Sequence, residues 1–100
     1  MFYVYLIYSP SADRFYIGHS SNPWRRVDEH NQYGFNTYTS KFRPWNLKSI
    51  FSVESKSQAI RLEKFIKSQK SRRSIEKLVN PEFEPDGYLA QLVRVPHLRD

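Results

Sequence analysis

The chain opens on an apolar and aromatic run, Phe2-Tyr3-Val4-Tyr5-Leu6-Ile7-Tyr8, rich in the residue types that favour strands. Ser9-Pro10-Ser11-Ala12-Asp13 supplies turn residues, and Phe15-Tyr16-Ile17-Gly18 follows as a second strand, so the start predicts an antiparallel hairpin. Asn22 suits a helix N-cap, and Pro23 suits the first helical position, where its missing N–H costs nothing. That first helix is expected to run to about Gln32. Tyr33 to Pro44, with Gly34, Asn36, Thr37, Thr39 and Ser40, reads as a loop. Trp45 to Val53 predicts a third strand, with Trp45, Leu47 and Phe51 on one face and Ile50 breaking the alternation.

Ser55-Lys56-Ser57-Gln58 fits a capping box and opens a second helix, on which Ala59, Leu62 and Ile66 share one stripe. Ser71 suits the N-cap of a third helix, Arg72 to about Val79, carrying Ile75 and Leu78. Pro81, Pro85 and Gly87 then break the pattern, and Tyr88 to Val95 forms either a short docked element or a tail. The order ββαβαα points to an α+β fold, a small three-stranded antiparallel sheet flanked by helices. The expected division is a domain over residues 1–80 and a C-terminal element over 81–100.

Composition narrows the class. One hundred residues fit one domain, and 16% aromatic content with only three Gly is too rich for a disordered tail. With no cysteine, disulfide frameworks, thiolate metal sites and thiol nucleophiles are excluded. No apolar run approaches the roughly 20 residues of a membrane helix, and the start lacks the charged region of a signal peptide. A small soluble cytoplasmic domain is the expectation. Charge is segregated: residues 1–40 are net zero, residues 41–79 carry eleven basic and three acidic residues, and residues 80–100 are net −2. A cationic stretch beside a neutral, Tyr-rich one is the footprint of a phosphate-backbone binder; the plainer alternative is a solubilising face.

Three sets of residues could carry chemistry. Arg26 and His30 are spaced i, i+4 on the first helix beside Val27, so an always-charged guanidinium and a hydrogen-bonding ring share one face, suited to gripping a phosphate; the plainer alternative, favoured by spacing alone, is an ordinary exposed Arg-His pair. Glu63 sits at the margin of the apolar stripe of the second helix among Arg61, Lys64 and Lys67. A lone carboxylate there is either a salt-bridge partner or the one protein ligand of a hard divalent cation whose other ligands are water and substrate phosphate. Tyr5 and Tyr16, eleven residues apart, fall on the two strands of the hairpin. Tyr is a poor base unless a nearby cation stabilises its phenolate, and both could simply be strand aromatics. His19, His30 and His97 make no zinc pattern, and no Gly-rich phosphate loop is present.

At these residues the sequence resembles the GIY-YIG nuclease superfamily. Tyr3-Val4-Tyr5 stands in the place of GIY, with Tyr3 for its Gly, and Tyr16-Ile17-Gly18 keeps YIG intact. The resemblance continues through Arg26-Val27-Asp28-Glu29-His30, through Arg43-Pro44-Trp45, and through Leu62-Glu63-Lys64, covering about residues 2–80. It implies a metal-dependent DNA endonuclease using a single Mg²⁺ or Mn²⁺, related to small stand-alone bacterial members and to the nuclease domain of the excision-repair endonuclease. By position it implies Tyr5 or Tyr16 as the base that activates water, Tyr5 preferred, and Arg26 as the stabiliser of the phosphorane. Glu63 is then the metal ligand, and His30 orients groups or relays a proton. His19, Lys41, Arg43, Lys64, Lys67, Lys70, Arg72 and Arg73 are the expected nucleic-acid contacts. The partners implied are duplex or branched DNA and a protein that helps choose the substrate. A non-cleaving nucleic-acid-binding module, or a nuclease subunit that needs a partner for activity, is the alternative.

Overall fold

The computed structural model describes residues 1–32 and 41–96. Its elements in chain order are β1 (Phe2–Ser9), β2 (Arg14–Ser20), α1 (Pro23–Gln32), β3 (Asn46–Val53), α2 (Lys56–Ser68), α3 (Arg72–Val79), a 3₁₀ turn (Gly87–Gln91) and β4 (Val93–Arg94). Most of the expected loop, residues 33–40, lies outside the described residues.

The sheet is antiparallel in the order β2-β1-β3-β4. It therefore has four strands where the sequence predicted three. The fourth is only two residues long, too short to show any alternation, and pairs Val93 with Ser52 and Arg94 with Phe51. Leu92, just before it, is buried with Val53, Ala59 and Leu62, so the segment after Pro81 shares the main core.

The third strand begins at Asn46, with Trp45 buried just ahead of it rather than inside it. Its pairing with β1 also shifts: Leu6 faces Ser49 while Ile7 faces Leu47, leaving Lys48 as an extra residue. That bulge corrects the expected alternation. Leu47 packs with Ile7 and Val27 beneath α1, whereas Phe51 packs with Val4 and Leu6 beneath α2. One inserted residue flips every later side chain to the other face, which is why Ile50 looked like an exception.

Helix ends follow the side-chain chemistry. Asn22 Oδ1 accepts from Arg25 N at 3.1 Å, Ser55 Oγ from Gln58 N at 3.1 Å, and Ser71 Oγ from Ser74 N at 3.1 Å. Each satisfies a donor the helix leaves unpaired at its start. The helices are thus fixed over opposite faces of the sheet, α1 on the Ile7 side and α2 with α3 on the Val4 side. Among the described residues no helix is long and apolar enough to cross a membrane.

Candidate active site

Of the sequence-predicted residues, Tyr5, Tyr16, Arg26, His30 and Glu63 gather around the β2 edge of the sheet, from both faces. Register pairs Tyr5 with Gly18 and Ile7 with Tyr16, so the two tyrosines are diagonal cross-strand neighbours on the α1 face. Gly18 makes room for the Tyr5 ring: a Cβ there would lie 2.6 Å from Tyr5 Oη and 2.7 Å from its Cζ. The sequence pattern named this glycine only as part of YIG; its packing role follows from the register.

Above these strands, His30 is buried to 1% exposure and its Nε2 lies 3.0 Å from Tyr5 Oη. Its ring also meets that of Tyr16 edge-on, with centroids 5.3 Å apart. One turn earlier on α1, the Arg26 guanidinium hydrogen-bonds the Tyr5 hydroxyl. Glu29, which sequence reasoning did not single out, accepts from Arg25 Nε and Arg26 Nη1, both at 3.3 Å. Its i+4 and i+3 spacing from the two arginines was the available signal.

Burial raises the Tyr5 phenol above its ordinary range, Tyr16 adds to that, and Arg26 offsets only part of it. Burial also pushes His30 down to about 4, with repulsion from Arg26 as the second cause. Both groups are therefore uncharged at neutral pH, joined by a contact along which a proton can pass.

From the opposite face, α2 brings Glu63 to the same edge. Its Oε1 lies 2.6 Å from His19 Nδ1, and Oε2 accepts from Lys67 Nζ at 2.7 Å. The carboxylate is 14% exposed, with one oxygen against the His19 ring and the other against the Lys67 ammonium. Lys67 Nζ also lies 5.6 Å from the Tyr16 ring centroid, which links the two halves of the site. Among the described residues no group of three or more His, Cys, Asp or Glu could hold a metal ion. A single carboxylate suits a hard ion that keeps most of its waters and not a closed protein cage, and to hold one an oxygen of Glu63 must exchange its contact with Lys67 or His19.

The expected nucleic-acid contacts divide. Lys41, Lys64, Lys70 and Arg73 are exposed. Arg72 is held by Asp13 and Glu76. Arg43 turns inward: its Nε donates to the His30 carbonyl at 2.9 Å, and its Nη2 is buried with no hydrogen-bond partner among the described residues.

Residues 1–77 match the family model of the GIY-YIG catalytic domain. The chain belongs to the GIY-YIG family. Its relatives include the structure-specific endonuclease subunit SLX1 of Debaryomyces hansenii, 35% identical over 80 residues, which cover 73% of this chain. The match spans only 23% of that protein's length. The solution structure of the UPF0213 protein BH0048 from Bacillus halodurans is similar at 28% identity and a TM-score of 0.48, covering 85% of this chain and 89% of that one. GIY-YIG nucleases generally use divalent metal ions. In this GIY-YIG domain Tyr3 occupies the place of the first glycine, and its ring packs edge-on against Trp24 at 5.6 Å between centroids.

Proposed function

We propose that the chain is a metal-dependent DNA endonuclease that hydrolyses phosphodiester bonds in DNA repair or in the processing of DNA structures. The observation that carries this reading is the Tyr5 hydroxyl, held between neutral His30 Nε2 at 3.0 Å and the Arg26 guanidinium on the sheet edge that also carries Glu63. Tyr5 Oη takes the proton of the attacking water as its own proton passes to His30 Nε2. A bound phosphate offsets the Arg26 charge that depresses His30, so His30 becomes a better acceptor when substrate is present. Arg26 faces the charge that builds on the phosphate. Glu63 would hold the divalent ion, Mg²⁺ or Mn²⁺, which would supply positive charge to offset the negative charge developing on the leaving 3′ oxygen. His19 and Lys67 orient the carboxylate and border the phosphate, while Tyr16 closes the site beside His30.

Lys64, Lys70 and Arg73 extend the phosphate-binding surface along α2 and α3, with Lys41 as a further backbone contact. The SLX1 relative is named a subunit, which supports a protein partner that helps to select the DNA. The compartment we infer is the cytoplasm. One observation favours a non-cleaving binder instead: the Tyr5 phenol is raised by burial, away from the state that could act as a base. Labelled DNA incubated with Mg²⁺, Mn²⁺ or EDTA separates the two. Cleavage that needs metal and is abolished in Glu63→Gln, with DNA binding retained, is the expected result. Cleavage by Glu63→Gln at the wild-type rate would overturn the metal assignment. Salt-sensitive binding with no product under either metal would select the binder.

A further inference from the structure

Beside the catalytic cluster, between β2 and the α2–α3 pair, lies a cavity of about 550 Å³. Its lining combines the apolar side chains of Phe15, Ile17 and Ile75 with the cationic Lys67, Lys70 and Arg72, and the Asp13 carboxylate that also lines it is paired with Arg72. Tyr16 and Lys67 line this cavity and also belong to the site, so an occupant lies directly next to the scissile position. The volume falls within the roughly 300–1,000 Å³ typical of small-ligand sites. We propose that the cavity is a subsite for one unpaired nucleobase of the DNA strand being cut, adjacent to the scissile phosphate. The proposal rests on the nuclease reading above and adds to it the class of substrate.

The argument is one of complementarity. Ile17, Ile75 and the Phe15 ring, with the Arg72 guanidinium lying on it, offer a ring-sized surface to a base, while the ammonium groups of Lys67 and Lys70 suit the phosphates on either side of that base. The Arg72 guanidinium lies 5.2 Å from the Phe15 ring centroid and is fixed there by Asp13 and Glu76, so the wall is already formed. Lys70 has no ion-pair partner among the described residues, leaving its charge for the ligand. A base inside a duplex must first be unstacked and unpaired, at a cost of a few kcal/mol, before it can enter such a cavity. A nucleotide in a single-stranded segment or at a junction avoids that cost and is the favoured occupant.

The test compares a blunt DNA duplex with the same duplex carrying a single-stranded overhang, both without divalent metal so that cleavage plays no part. Stacking of one base predicts about tenfold tighter binding of the overhang DNA. Ile75→Trp fills the cavity with an indole and changes no charge. It should bring overhang binding down to the blunt value and leave blunt binding unchanged. A thymine at the first unpaired position should be protected from permanganate by the wild-type protein, with the next thymine out left reactive. That footprint decides the matter by itself if Ile75→Trp fails to fold. Equal binding of the two DNAs, or no protection at the junction, would overturn the subsite and leave the Glu63→Gln test of the nuclease standing. Binding of neither DNA would overturn both.

Discussion

Replacing Gly18 with Ala tests the packing on which the site depends. The new Cβ would meet Tyr5 Oη at 2.6 Å, Cζ at 2.7 Å and Cε1 at 2.9 Å, so the ring must move by close to an ångström to regain ordinary contact. It has little freedom to do so. Tyr5 is 1% exposed, its backbone is paired on both sides, with Gly18 and Ile50, and its hydroxyl is bonded to His30. Overpacking of this kind costs about 1–3 kcal/mol. For a domain of this size that lowers Tm by roughly 5–20 °C. The sign is diagnostic, because Gly→Ala inside an unobstructed strand would instead stabilise by about 0.5–1 kcal/mol. A displacement of about 1 Å at a catalytic group costs on the order of 100-fold in rate, so cleavage should fall even where the protein remains folded. Tyr5→Phe supplies the control. By itself it loses the His30 hydrogen bond, about 1 kcal/mol. Combined with Gly18→Ala it also removes the atom nearest the new methyl, so the double variant should be less destabilised than the sum of the singles by about 0.5–1 kcal/mol. Urea melts of the four proteins give both quantities. Gly18→Ala at wild-type stability and wild-type cleavage rate would refute the account of why a glycine faces Tyr5.

Two further predictions use other parts of the fold. His30 has a folded-state pKa of about 4, below the ordinary 6.5, because burial disfavours its charged form. The unfolded chain therefore binds the extra proton first, and stability is full above pH 6.5 and lost as pH falls towards 4, by about 2 kcal/mol between pH 7 and 4.5. His30→Gln should show a smaller loss over that interval in urea melts, and an equal loss in both proteins would remove His30 as the cause. Leu92→Ala removes a side chain that is 4% exposed in the main cluster, and should cost about 2–4 kcal/mol in the same assay. A cost below about 0.5 kcal/mol would mean that the segment after Pro81 is held by something other than Leu92.

How much of this was legible in the sequence depends on the range of the interaction. The hairpin was, because aromatic and β-branched residues from Phe2 to Tyr8 and from Phe15 to Ile17 flank turn residues. The starts of α1, α2 and α3 were, because Asn22, Ser55 and Ser71 act within three residues of themselves. The bulge at Lys48 was not, since nothing local distinguishes an inserted residue from an exposed lysine in a strand. Nor was β4, whose two residues become a strand only because Ser52 and Phe51 offer a free edge. The site shows the same division. Helical spacing joins Arg26 to His30, and Glu63 to Lys67, but it cannot join the two pairs, because they approach the sheet from opposite faces. What brings them together is the strand order. Since β1 pairs with both β2 and β3, β2 is left at the edge, and groups from either face can meet around it. Tyr16 shows this directly, since both His30 from α1 and Lys67 from α2 lie against its ring. A central strand would have kept Glu63 and Arg26 apart with a sheet between them. On the nuclease reading proposed above, an edge strand lets them face a single phosphate.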